Sequence, residues 1–504
     1  MKVLIYLAGA TIGPSVGIHL EEAIKQIKQG NEVFILHCDT SIGGCMENPY
    51  WNPLYCKLCI AFQKKDVRTY LPCNVEQHFM KEYVSQLDDS NIPRFQYNDV
   101  KELRNLTFHG VDIGLGAMST YISLTRNLNP RIDDKSRPYF DALLREQVVT
   151  ALVFERLQEQ YHFELVVFQN GRGAQFKSLL NICQKRGIDY LCTEFKVNAT
   201  GKGFICNFFN ETPHGIEANN KEYVKCWDSA TCSKEEREKI ARSFFENRRH
   251  AIYAGDKIYA KDQKQGLLPE DWNDEVENIV IFNSSEDEFA AVSKEFDDAA
   301  FFPSQMEGIK AIVEHYIQDK SKHFTLRVHP NLMKIPYKYH QDLYKLKYPN
   351  LTVVRADSSV STYSLMDKAD KIIVFGSTTG LEAVYWGKPV ICLAAAYYLP
   401  MNIVYVPKTL DNLWGYIDAK ELPCKYNDQV LKYGYYVMSD DHANTQYVNI
   451  DVKTMNFLYR KIKCYSFQKW LGSNMLYVLL MRCFVRFFLN KVPAKFKRIP
   501  FLEN

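Results

Sequence analysis

The stretch that most constrains this chain runs Asp370-Lys-Ile-Ile-Val-Phe-Gly-Ser-Thr-Thr-Gly-Leu-Glu-Ala-Val-Tyr-Trp-Gly-Lys-Pro-Val-Ile391. Ile372 to Phe375 is a short apolar, β-branched run, as expected of a strand buried on both faces of a parallel sheet. Gly376-Ser-Thr-Thr-Gly380 breaks that strand, Leu381 to Tyr385 resumes at helical spacing, and Gly387 stops the helix before the next strand at Pro389–Cys392. A strand, a Gly/Ser/Thr loop and a helix start make a site for an anion, because backbone N–H groups and the positive end of the helix converge there. Phe324-Thr-Leu-Arg-Val-His-Pro-Asn331 is a second strand, ending in Arg327 and His329, that should belong to the same site.

The rest of the chain fits this α/β reading. Lys2–Ala8 reads as a first strand rather than a signal peptide, since it has only about seven apolar residues and no cleavage motif. A Gly-rich loop, Gly9–Gly17, leads to a helix over 19–29 and a second strand over 31–37, a βαβ opening. Its glycine spacing does not match the dinucleotide fingerprint, so NAD is not expected. That loop serves either close helix packing or substrate contact. The clearest amphipathic helix covers 139–160. Phe163–Phe168 follows as a buried strand ending in Gln169-Asn-Gly-Arg-Gly-Ala174, and Gly187–Cys192 is the next. Ligands gather at the carboxyl ends of such strands, which makes Asn170, Arg172 and Glu194 candidates for a substrate cleft; a solvated Asn-Gly turn is the alternative for Asn170.

At 504 residues the chain exceeds one core. The expected division is a first domain over 1–270, a second doubly wound domain over 271–425 and a tail over 426–504. Residues 75–90 show helical spacing, and 200–275 parse poorly apart from a charged helix near 233–249. Ser285 with Glu288 reads as a capping box. With 62 basic and 59 acidic residues the charge is nearly balanced, which argues against nucleic acid as a partner. No window of about 20 apolar residues exists, so no spanning helix is expected.

Most of the 14 cysteines are scattered, as in a reducing, cytoplasmic setting. Cys38, Cys45, Cys56 and Cys59 instead crowd into 22 residues and could close a structural zinc site, the alternative being thiols packed in an ordered loop. The tail from Trp470 to Arg498 mixes aromatic and aliphatic residues with Arg482, Arg486, Lys491, Lys495, Lys497 and Arg498. It suits a helix in the headgroup layer of an anionic membrane, peripheral at the inner face, or one docked on the first domain.

Arg327-Val-His-Pro-Asn331, followed by Ala369 to Val390, resembles bacterial capsule polysaccharide biosynthesis proteins, the glycosyltransferases related to the Kdo transferases. Phe168–Arg172, Ile281–Phe289 and the Cys-rich loop are similar to that group as well, so the resemblance covers roughly 1–400. It implies a GT-B-like α/β fold of two Rossmann-like doubly wound domains facing a central cleft, with a C-terminal helical tail. It also implies transfer of a sugar from a nucleotide-sugar donor to a capsule or lipopolysaccharide glycan, on a glycan or lipid-linked acceptor. Carried over residue by residue, Arg327, His329, Ser377, Thr378, Thr379 and Gly380 would hold donor phosphate, and Glu382 would reach the ribose or sugar. A CMP donor fits a His-Pro pair before a Ser/Thr loop, while UDP and GDP users share the architecture. Glu194, then His19, are the candidates for the base that activates the acceptor hydroxyl. No Asp-x-Asp ends a strand, so neither metal nor other cofactor is expected for transfer. The rival readings are a sugar-nucleotide epimerase of the same fold and a non-catalytic scaffold in polysaccharide assembly.

Overall fold

The computed structural model describes residues 1–457 apart from 9–14, 40–44, 47–52, 88–89, 91, 201–202, 256–257, 334, 442–447 and 451–454. The tail over 470–498 therefore lies outside the described residues, as does most of the Gly9–Gly17 loop. The chain forms two compact units, one of residues 1–197, 201–214 and 443–504, the other of 198–200 and 215–442.

The first unit is built on six strands: β1 (Lys2–Leu7), β2 (Glu32–His37), β3 (Glu76–Phe79), β4 (Leu165–Gln169), β5 (Asp189–Val197) and β6 (Gly203–Phe209). Their order is β3-β2-β1-β4-β5-β6, parallel except for the antiparallel edge pair β5–β6. This is the Rossmann order, in which the order of strand addition reverses between the parallel neighbours β1 and β4. Val3 to Tyr6 and Val166 to Phe168 are fully buried, as continuous apolar runs in a parallel sheet require. Helices α1 (Ser15–Lys28), α2 (Pro53–Tyr70), α3 (Arg137–Tyr161) and α4 (Ala174–Arg186) supply the crossovers.

Two readings of this unit are corrected. Glu76-Gln-His-Phe79 is an edge strand rather than the start of a helix, because its only long partner is β2 and its sequence carries no apolar run. Cys56 and Cys59 lie on α2, not in a loop. The cysteine pairs also sit on opposite faces of the sheet. His37 points to α2, where its Nδ1 meets Gln63 at 3.0 Å and Gln63 donates to Cys59 Sγ at 3.6 Å. Cys38, the next residue, turns the other way, toward Tyr6 and Glu146 on the α3 side, where Cys45 also lies. Among the described residues no group of three or more His, Cys, Asp or Glu side chains is placed to hold a metal ion.

The second unit is a five-stranded, all-parallel sheet of β7 (Glu277–Phe282), β8 (Lys322–Arg327), β9 (Leu351–Val354), β10 (Lys371–Val374) and β11 (Val390–Cys392). The order β9-β8-β7-β10-β11 is again doubly wound, with its reversal between β7 and β10. Ile279, Ile281, Phe324, Leu326, Ile373 and Ile391 form the centre of its core, each with no exposed surface.

The expected boundary near 270 moves to 214/215, because α5 (Ile216–Asp228) and α6 (Lys234–Arg249) pack within the second unit. α6 is charged along most of its length, yet it buries Ala241, Phe244 and Phe245 at helical spacing. Phe245 stacks on Tyr385 with ring centroids 3.9 Å apart, and Phe244 meets Tyr433 edge-on. Tyr385 ends α7 (Thr379–Tyr385) and Tyr433 lies on α8 (Gln429–Met438). Residues 426–442 are thus part of the second unit's packing rather than of a tail.

Glu146 on α3 is fully buried and neither carboxyl oxygen has a hydrogen-bond partner. Burial holds its pKa well above the usual carboxylate range. A carboxyl with a raised folded pKa contributes stability that is complete at low pH and is lost as pH rises through that value. The melting temperature of the wild type should therefore fall with rising pH more steeply than that of Glu146→Gln, which has no charge to expose. Parallel profiles from pH 5 to 9 would contradict this account of Glu146.

Candidate functional site

The reversal in the second sheet lies where Phe282 pairs with Val374, so the loops leaving β7 and β10 splay apart at their carboxyl ends. The first of these loops is Asn283-Ser284-Ser285. Ser284 Oγ donates to the Phe375 carbonyl at 2.7 Å, and Gln305 Nε2 donates to that same hydroxyl at 2.8 Å. Asn283 Oδ1 accepts the backbone N–H of His329 at 2.8 Å. One short turn therefore joins the ends of β8, β7 and β10, and it places His329 and the 376–380 loop on one edge of the sheet.

Each part of that edge has a local cause. Gly376 has φ +79°, and a Cβ there would sit 2.2 Å from the Ala395 carbonyl, so only glycine fits. Ser377 is buried, its Oγ donates to Thr379 Oγ1 at 3.0 Å, and its carbonyl accepts from Tyr398 Oη at 2.7 Å. Thr378 is exposed and Thr379 half-buried. The first turn of α7 follows at once, with Gly380 close beneath Tyr398. His329 Nδ1 accepts the Asn331 N–H at 3.1 Å, which leaves the neutral ring's hydrogen on Nε2. Asn331 Nδ2 in turn donates to Ser285 Oγ at 3.1 Å and Glu288 Oε1 at 2.8 Å. Tyr259 meets the His329 ring edge-on at 5.0 Å. Ser285 thus receives Asn331 and does not cap the helical turn Glu286–Phe289, contrary to the capping-box reading.

Two residues expected to bind donor are engaged elsewhere. Arg327 is 2% exposed, with Nη1 donating to the Arg355 and Val328 carbonyls and Nη2 to the Ser358 carbonyl at 3.3 Å. Burial brings its pKa down to about 10, so it stays charged while pinning the β9 exit loop. Position along the strand explains this: Arg327 is the last residue within the sheet, whereas His329 lies beyond its end. Glu382 is 2% exposed and pairs with Arg248 Nε at 3.0 Å and with the Tyr363 hydroxyl. It fastens α6 to α7 instead of facing a ligand.

In the first unit the structure brings Asn170 and Glu194 together and adds His214. Asn170 sits just past β4 at φ +60°, and its Nδ2 donates to Glu194 Oε2. The Phe195 N–H donates to Glu194 Oε1 at 3.0 Å, and Asn170 Oδ1 meets His214 Nε2 at 3.0 Å. Arg172, two residues on, turns its Nε to Ser119 Oγ at 2.7 Å. Burial raises the Glu194 pKa, opposed by Asn170 and the Phe195 amide. His214 is pushed down to about 3, first by burial and then by Arg172, Lys196 and Lys177. His19 is 1% exposed and meets Thr193 Oγ1 at 3.3 Å. Because α1 starts at Ser15, His19 falls in its second turn, on the helix's buried side.

His214, Asn283, Ser284 and Asn331 were not singled out from the sequence. The strand-end position of Asn283 and Ser284 carried that signal; His214, far from Asn170 in the chain, carried none.

Residues 274–411, which hold all five strands of the second sheet, match the family model of capsule polysaccharide biosynthesis proteins. The resemblance read from 327–331 and 369–390 is borne out there. No curated protein matches the chain. Among solved structures, a Thermosulfurimonas dismutans KpsC, a beta Kdo 2,4 transferase, is 14% identical over 56% of this chain and 79% of that one, with a TM-score of 0.34. The beta Kdo 2,7 transferase from that organism's KpsC is also 14% identical, over 56% and 78%, at 0.30. A Methanocaldococcus jannaschii UDP-GlcNAc 2-epimerase is 12% identical over 86% and 98%, at 0.23.

Removing one partner of a buried ion pair costs about 3–5 kcal/mol, whereas replacing both with apolar groups costs far less. Urea unfolding should show Glu382→Ala losing about 3 kcal/mol or more and Arg248→Met/Glu382→Met losing clearly less. Equal losses would mean that the pair does not anchor α7.

Proposed function

We propose that the chain is a glycosyltransferase that moves a sugar from a nucleotide-sugar donor to a growing surface glycan. The observation that carries this reading is the switch-point edge of the second unit, where His329 and the 376–380 loop meet through the Asn283–Ser285 turn inside the stretch that matches the capsule family. Glycosyl transfer builds negative charge on the departing phosphate. Fixed dipoles at a preorganised site stabilise such charge without reorganising. His329 Nε2–H and the Thr378 and Thr379 hydroxyls are donors of that kind, whereas the Thr379 and Gly380 amides are taken up within the loop by Ser377, and transfer without a bound metal ion is the reading these donors support. A CMP-sugar is the donor favoured by the His-Pro pair, with UDP and GDP as the alternatives. The Asn170–Glu194 cluster of the first unit handles the acceptor, with Glu194 as the base. Its raised pKa makes the carboxylate a stronger proton acceptor than an exposed glutamate. The basic, aromatic segment over 470–498 holds the enzyme at the anionic inner face of the cytoplasmic membrane.

Thermal-shift titration with CMP, UDP and GDP should show saturable stabilisation by one of them. His329→Ala and Thr378→Ala should each weaken that nucleotide roughly tenfold or more, the effect of losing one hydrogen bond to a charged group. EDTA should leave transfer unchanged. A protein stabilised by none of the three nucleotides would be a scaffold, and one that converts the donor sugar with no acceptor present would be an epimerase.

A further inference from the structure

We infer that His214 is a positioning residue that fixes the Glu194 carboxylate through the side-chain amide of Asn170, an inference that rests on the transferase reading and on Glu194 as its base. The amide of Asn170 could be placed either way round, and its neighbours decide. A carboxylate only accepts, so the Nδ2 group must face Glu194 Oε2. Oδ1 is then the acceptor for the Arg172 N–H at 3.2 Å and for His214 Nε2 at 3.0 Å. His214 consequently carries its hydrogen on Nε2 as a neutral ring. The surrounding charges agree, since Arg172, Lys196 and Lys177 all face His214 and disfavour an imidazolium. Glu194 is held at both oxygens, by Asn170 on one and by the Phe195 N–H on the other.

The backbone shows why this relay is needed. Asn170 is in the left-handed region at φ +60° and its N–H donates to the Thr193 carbonyl at 2.9 Å, so its main chain is tied to β5. Its side-chain rotation is not tied by the main chain, and His214 and the Arg172 N–H supply the two contacts that stop the amide from turning. With the amide held, the proton passes from the acceptor hydroxyl to Glu194 in one geometry. The acceptor oxygen bonds to the anomeric carbon, the bond from that carbon to the donor phosphate breaks, and its electron pair leaves with the phosphate. His214 takes no proton in this step.

His214→Leu removes the donor, while His214→Gln keeps an amide N–H that can reach Asn170. In sugar-transfer assays over pH 5–9, His214→Leu should lower kcat tenfold or more and leave the donor KM within about twofold. The acidic limb of kcat/KM should move to higher pH, because an Asn170 amide that is free to turn donates less to Glu194 and lowers its pKa less. His214→Gln should restore both quantities toward the wild type. A second readout needs no activity: neither variant has an imidazole to titrate, so the melting temperature of His214→Leu should begin to rise on acidification at a higher pH than that of His214→Gln. Unchanged kcat and limb in His214→Leu, equal damage in both variants, or coincident melting profiles would each overturn the inference. A wild-type protein that transfers no sugar would instead overturn the transferase reading, and the melting comparison would still decide the relay.

Discussion

The second unit depends on one hydrogen-bonded turn. Asn283 to Ser285 leaves the central strand at the point where the order of strand addition reverses, and it binds the end of one neighbour through Asn283 and of the other through Ser284. Without those bonds His329 and Ser377 would sit on loops with no fixed separation. With them, an imidazole N–H donor and a hydroxyl-rich loop share one rim. The turn is itself buried, and buried polar groups hold their geometry because leaving one unpaired costs about 1–3 kcal/mol.

The same economy explains which charged residues stay away from the rim. Arg327 and Glu382 were read as donor ligands because they lie in the motif and carry the right charges. Both are buried, and a buried charge has to be paired. Arg327 satisfies that need on backbone carbonyls, and Glu382 on Arg248 and Tyr363. The groups left at the rim are the His329 ring and the Thr378 and Thr379 hydroxyls, with the Glu288 carboxylate accepting from Asn331 beside them. Such a site gains specificity from direction rather than from net charge, which suits a phosphate that develops charge only as the sugar departs.

What the chain's letters revealed follows the same physics. Strands such as Lys371–Val374 and Glu277–Phe282 were legible because a strand covered on both faces must be apolar throughout. Glu76–Phe79 was not, since an edge strand needs no such run. The helix over 234–249 was legible as a helix, yet its allegiance was not, because three buried residues, Ala241, Phe244 and Phe245, decide which sheet it covers. His329, the 377–380 loop and Asn170 were legible as strand-end residues, whereas Glu194, read as lying in a loop past a strand that stops at Cys192, sits within β5 opposite Cys206. The relay through His214 was hidden, for a contact between residues 170 and 214 leaves no periodic trace.

The central claim is that phosphate is held at the edge formed by 283–285, 329–331 and 376–382. Amide hydrogen exchange read by mass spectrometry, with and without saturating CMP, UDP or GDP, tests it most directly. The account predicts that a binding nucleotide slows exchange in those three segments together. Protection confined to the Asn170 region, or absent from residues 376–382 while the nucleotide is bound, would contradict it.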